Sequence, residues 1–86
     1  MRSETDFGVF LGGLSAKAAR SRIARAKRVE KELDVDLDDV VSSDDETFRV
    51  LTELAKRYNH HGNLSNAVRK YYLFKNGKEF PRLKDY

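Results

Sequence analysis

The sequence predicts an all-α domain, and three observations lead to that fold class. Apolar residues recur at intervals of three and four along most of the chain, which is the spacing of one helix face. The single proline, Pro81, lies near the end of the 86 residues and interrupts no earlier helix. No segment alternates apolar and polar residues as a strand does. With 40% apolar residues, we expect one domain, residues 1–77, and a C-terminal tail, 78–86, that is either loose or folded back through its apolar side chains.

The first two helices are predicted over about residues 4–12 and 16–33. The apolar stripe of the first has the spacing i, i+3, i+4, i+7: Phe7, Phe10, Leu11 and Leu14. Gly12-Gly13 ends this helix because paired glycines favour a turn. Ser15 is a good N-cap for the second helix. The buried side of the second helix is predicted to be Ala19, Ile23, Ala26, Val29 and Leu33.

Residues 34–42 form an acidic connector whose apolar residues are expected to enter the core, as one helical turn: Leu37, Val40 and Val41. The third helix is predicted over about 44–60, because Ser43 and Glu46 have the spacing of a capping box. Asn63 is the expected cap of the fourth helix, about 64–75, which Gly77 ends. Tyr71 and Tyr72 have the spacing of its buried face, so we expect a core position for at least one of them.

Charge is distributed unevenly along the chain, whose net charge is +3. Five bases of the second helix fall on the side opposite its apolar face, and we call them the cationic stripe: Lys17, Arg20, Lys27, Arg28 and Lys31. A helix with one buried face and one cationic face can lie along an anionic polymer, and nucleic acid is the first such polymer to consider.

Three segments carry a family resemblance: Leu14-Ser15-x-Lys17-x-Ala19-Arg20-Ser21, then Arg25-x-Lys27-Arg28-Val29-Glu30-Lys31-Glu32-Leu33 with Asp36-Leu37-Asp38-Asp39, and Asn63-Leu64-x-x-Ala67-Val68-Arg69-Lys70-Tyr71-Tyr72-x-Phe74-x-Asn76-Gly77. Over roughly residues 7 to 77 they resemble the N-terminal core-binding (SAM-like) domain of tyrosine recombinases and phage integrases. The resemblance implies a four-helix orthogonal bundle that grips duplex DNA with its second and fourth helices. By position, this carries DNA contact over to the cationic stripe and to Arg69 and Lys70. Arg22 departs from the family pattern, which often has an aromatic residue there.

Several function classes are not expected. The chain has no cysteine, which excludes disulfides and thiolate metal sites. His60 and His61 are adjacent, so on a helix they point about 100° apart and do not readily share a metal. We find no nucleophile beside a base and no Gly-rich phosphate loop, so we expect neither catalysis nor a cofactor. The recombinase catalytic domain has no counterpart, and strand cleavage is not implied. No apolar run approaches the ~20 residues that span a bilayer, and a cytoplasmic protein is expected.

The sequence therefore predicts a small accessory or regulatory DNA-binding protein of phage or mobile-element origin, acting as a monomer or weak homodimer. It would contact duplex DNA through phosphates. The alternative is a protein-interaction module that inhibits a nucleic-acid enzyme. The acidic segment would then imitate phosphates: Asp34, Asp36, Asp38, Asp39, Asp44, Asp45 and Glu46.

Overall fold

Helices dominate the computed structural model, which describes residues 1–57 and 62–86. Over these residues the elements are α1 (Glu4–Phe10), α2 (Ala16–Leu33), α3 (Leu37–Val41), α4 (Asp44–Arg57), α5 (Asn63–Asn76) and a final 3-10 turn (Leu83–Asp85). No strand occurs in these ranges, which confirms the all-α prediction at the level of class. The elements fill an envelope of 31 × 25 × 23 Å.

Local capping explains where most helices begin. The Ser15 hydroxyl accepts a hydrogen bond from the Ala18 N–H at 3.1 Å, which confirms the predicted cap of α2. At the start of α4, Ser43 Oγ accepts from the Glu46 N–H at 3.3 Å, as the capping-box spacing predicts. The connector contains a true helix, α3, which Asp36 caps by accepting from the Asp38 N–H at 2.9 Å.

Two predicted boundaries differ from the structure. The first helix ends at Phe10 rather than Gly12, because the Gly12 N–H bonds to the Val9 carbonyl at 3.0 Å and tightens the chain into a turn. Asn63 does not cap the last helix: it is the first helical residue, and Gly62, with φ +70°, precedes it without a side-chain cap. The predicted end of the third helix and the His60-His61 pair lie outside the described residues.

The core lies where α1, α2, α3 and α4 surround α5. Tyr71 and Tyr72 of α5 are 0% and 1% exposed, so both have the core position that was expected of at least one of them. The Phe7 ring meets the Tyr71 ring edge-on at 5.0 Å between centroids. The connector residues that were expected to enter the core are all buried: Leu37, Val40 and Val41. The predicted apolar face of α2 also packs inward, with Ala26 and Val29 fully buried.

The C-terminal tail packs against this body. Phe80 is 4% exposed and meets the Tyr72 ring edge-on at 5.1 Å between centroids. Arg69 Nη1 donates to the carbonyl oxygens of Phe80 at 2.9 Å and Pro81 at 3.3 Å. Of the two alternatives for the tail, the structure thus has the folded-back one, because a buried ring and a guanidinium both attach it to α5.

No helix in residues 1–57 and 62–86 combines the length and the apolar character that crossing a membrane requires.

Candidate nucleic-acid interface

The cationic stripe lies on the outer surface of α2. All five of its side chains are exposed, since the opposite side of the helix carries the buried Ala26 and Val29. At 100° per residue the five positions fall within an arc of about 100°. The stripe extends from Lys17 to Lys31, which at 1.5 Å per residue is about 21 Å of helix. The sequence thus places five cations side by side along one edge of the molecule.

The chain's own carboxylates pair with part of the stripe. Lys27 Nζ lies 2.5 Å from Glu4 Oε1, and Arg28 Nε lies 3.8 Å from Glu32 Oε1. These side chains remain 40–57% exposed, and such surface pairs contribute only about 0–1 kcal/mol each. Three members of the stripe form no ion pair within the described ranges: Lys17, Arg20 and Lys31. An anionic ligand therefore meets unpaired cations at both ends of the stripe and weakly paired ones between them.

Six of the seven carboxylates of the acidic segment have partners outside the stripe, so the segment leaves most of the stripe's charge in place. Asp38 shows this best. Its side chain is 7% exposed, accepts hydrogen bonds from the Arg2 N–H at 2.6 Å and the Tyr71 hydroxyl at 2.7 Å, and forms an ion pair with Lys75 Nζ at 3.0 Å. Burial raises the pKa of this carboxyl, but these three donors outweigh burial and hold the pKa of Asp38 well below its usual range.

Other members of the acidic segment are engaged in the same way. Asp36 and Asp39 lie 3.5 Å and 2.9 Å from the Arg2 guanidinium. Asp44 accepts from the Tyr72 hydroxyl at 2.6 Å, and this bond together with burial raises the pKa of Tyr72 to about 12.

The remaining three acids lie near chain turns or helix starts. Asp45 accepts from the Tyr86 hydroxyl, and Glu46 pairs with Arg49. Asp34 is exposed and ends α2 with a left-handed backbone, φ +54°. Most carboxylates of the segment therefore attach the N-terminus, α5 and the tail to the bundle.

Arg69 and Lys70, the predicted contacts on the last helix, lie on a different surface from the stripe. Both line a groove of about 430 Å³ between α2, α5 and the tail, together with Arg22. Arg22 is five residues after Lys17, which places it about 140° around α2 from Lys17 and about 120° from Arg28, the nearest member of the stripe. Arg69 is half-buried, and its guanidinium bonds to the tail carbonyls and lies 5.9 Å from the centre of the Phe80 ring.

We call this hollow the cationic groove; its lining residues are Arg22, Asn66, Arg69, Lys70, Leu73, Glu79, Phe80 and Arg82. Sequence reasoning missed it as a site. The available signal was Arg22, which falls on the apolar side of α2 in a helical projection. The structure shows why a charge is tolerated there: this end of α2 borders the groove, and Arg22 is only partly buried.

No known protein family, curated protein or solved structure matches the chain. The resemblance to the recombinase core-binding domain therefore stays a prediction from sequence motifs. Across the described residues, no group of three or more His, Cys, Asp or Glu side chains is arranged to bind a metal ion.

Proposed function

We propose that this chain is a non-catalytic, SAM-like helical module that binds duplex DNA through its phosphates. The observation that carries the proposal is the cationic stripe: five exposed cations along about 21 Å of one helix, three of them without a carboxylate partner in the parts of the chain described. The proposal includes an accessory or regulatory role on mobile DNA, which the family resemblance suggests.

The dimensions of the stripe suit a duplex. Each DNA strand carries one phosphate per ~3.4 Å of helix axis, so about 21 Å of α2 passes some six phosphates of one strand. Five cations over that distance are enough to contact most of them. Contacts of this kind fix the position of a protein on DNA without reading its sequence. The expected activity is therefore sequence-tolerant and strongly dependent on salt.

Fluorescence anisotropy with a random duplex of about 20 base pairs tests this proposal. If all five cations contact phosphates, the logarithm of affinity falls with the logarithm of salt with a slope of about −4.5. The test variant carries Lys17→Glu, Arg20→Glu and Lys31→Glu. With two cations of the stripe left, its slope is expected to become shallower, about −2. Its affinity for the duplex at low salt is expected to fall at least about tenfold.

A second triple variant provides the matched control: Lys56→Glu, Lys78→Glu and Lys84→Glu. These lysines are exposed, lie outside α2 and form no ion pair in residues 1–57 and 62–86. Net charge changes equally in both variants, and far-UV circular dichroism checks that both remain helical. If the two triple variants lose the same affinity, the stripe is not the contact surface and only net charge matters.

The alternative, a phosphate-mimicking inhibitor, is less well supported by the arrangement of the acids. Asp38, Asp44 and Asp45 accept hydrogen bonds from tyrosines of the same chain. A partner's arginine or lysine would have to compete with those bonds. The same titration separates the two proposals, because an inhibitor of this kind binds no duplex even at low salt.

A further inference from the structure

A second hollow adjoins the cationic groove, and its lining combines apolar side chains with cations. It measures about 440 Å³ and is lined by Phe10, Leu11, Gly13, Leu14, Arg22 and Lys70. Arg22 and Lys70 also line the groove, so the two hollows form one surface with these cations at their border. We call the second hollow the apolar shelf.

Cations of the groove lack carboxylate partners. Within the described part of the chain, Arg22, Lys70 and Arg82 form no ion pair, and neither does Glu79, the single carboxylate of the lining. Arg69 adds a fourth positive charge, and its Nη1 donates to the tail carbonyls. Positive charges gathered in a concave surface raise the local concentration of anions. Arginine guanidinium groups in particular bind phosphate with two parallel hydrogen bonds.

The apolar shelf contains an exposed aromatic ring on a rigid support. Phe10 is 43% exposed, and Leu14 beside it is 42% exposed. Behind Phe10, the Phe7 ring is stacked at 6.4 Å and the Phe74 ring is tilted at 5.4 Å between centroids. A planar ligand can therefore contact the outer part of the Phe10 ring at little conformational cost, because the ring is already packed from below.

From this combination we infer that the groove and the shelf bind an unpaired stretch of nucleic acid. Its phosphates contact Arg22, Lys70 and Arg82, and a neighbouring base stacks on Phe10. Cations that follow the backbone beside an aromatic side chain are the common composition of single-strand sites. In a duplex the bases are stacked on each other, so only an unpaired base reaches the ring. The inference takes its ligand class from the proposed function, but it concerns another face of α2.

The probe is a fluorescently labelled oligothymidine of about eight nucleotides, measured by anisotropy at low salt. The groove variant carries Arg22→Glu and Lys70→Glu, and we expect it to lose at least about tenfold in affinity for the oligonucleotide. Its affinity for duplex DNA is expected to change much less than that of the stripe variant Lys17→Glu, Arg20→Glu, Lys31→Glu. The stripe variant is expected to show the opposite pattern, so the two proposals fail separately.

Phe10→Leu tests the stacking contact, because it removes the planar ring and keeps an apolar side chain. Loss of a stacked base corresponds to about 5- to 160-fold weaker oligothymidine binding. The control is Val9→Ala, a change at a neighbouring side chain that is 76% exposed and outside the shelf. Full binding by the groove variant overturns the inference. The inference is also overturned if polyglutamate of the same length displaces the labelled oligothymidine as well as unlabelled oligothymidine does. The groove would then be assigned to binding an acidic protein segment.

Discussion

Replacing Asp38 with asparagine removes a buried negative charge that connects three parts of the chain. The carboxylate accepts hydrogen bonds from the Arg2 N–H at 2.6 Å and the Tyr71 hydroxyl at 2.7 Å, and forms an ion pair with Lys75 at 3.0 Å. Hydrogen bonds that involve a charged group each contribute about 1.5–3 kcal/mol. An asparagine carbonyl retains part of this, so we expect the free energy of unfolding to fall by about 2–4 kcal/mol. The free energy of unfolding of the whole domain, at 0.05–0.15 kcal/mol per residue, is only about 4–13 kcal/mol.

Urea unfolding followed by circular dichroism measures this loss. A thermal melt is a second measurement. Dividing the expected loss of unfolding free energy by the unfolding entropy, about 2.1 cal/mol/K per residue, gives a fall in Tm of about 10–20 °C. Asp39→Asn is the matched control, because Asp39 is 77% exposed and its ion-pair partner is the exposed Arg2. The control is expected to lose no more than about 1 kcal/mol. Equal losses in both variants would refute the assignment of stability to the buried network.

The pH dependence of the same variant gives an independent check. The pKa of Asp38 is depressed in the folded chain, whereas an unfolded aspartate titrates near about 3.9. The contribution of Asp38 is therefore fully present above about pH 4 and is lost as pH falls through the lower pKa of the folded state. The difference between the wild type and Asp38→Asn should be constant from about pH 5 to 7 and shrink below pH 4. A difference that grows on acidification contradicts the argument.

Two further predictions concern helix ends. Gly77→Ala should lower the free energy of unfolding by about 1–2 kcal/mol, because Gly77 ends α5 with φ +71°. The control is Gly13→Ala, at a site with open space around it and no positive φ, which should leave the free energy of unfolding unchanged. Equal effects of the two changes in urea unfolding would refute the backbone explanation. Ser15→Ala should lower the free energy of unfolding by about 1 kcal/mol, because it removes the hydrogen bond from the Ala18 N–H. Hydrogen exchange should then show faster opening of the first turn of α2, which carries Lys17. Unchanged exchange in that turn would contradict the assignment of the cap.

Features that depend on neighbouring residues could be predicted from the sequence. The cap of α2 joins Ser15 to the N–H three residues later, and the cap of α4 has the same separation. The apolar and cationic faces of α2 depend only on helical periodicity. The failure at Asn63 has a local cause too: this residue adopts helical geometry, so its side chain lies past the position from which a cap bonds the helix N–H groups.

The candidate site was predictable to a lesser extent. The stripe followed from one helix and is exposed as expected. The groove did not, because Arg22, Lys70 and Arg82 belong to α2, α5 and the tail, and their proximity depends on how these elements pack. Arg69 resembled a DNA contact in the sequence, yet in the fold its guanidinium attaches the tail.

The sequence by itself determined the helices, most of their ends and the cationic face of α2, since these arise from contacts between residues no more than a few positions apart. Only the tertiary structure decided the partners of the acidic segment. Asp38 meets Tyr71 and Arg2 across 33 and 36 residues, and such distant pairs form only when the packing of the core brings them together. The same packing engages most carboxylates of the acidic segment with the N-terminus, α5 and the tail, while the cationic face of α2, opposite its buried face, stays exposed.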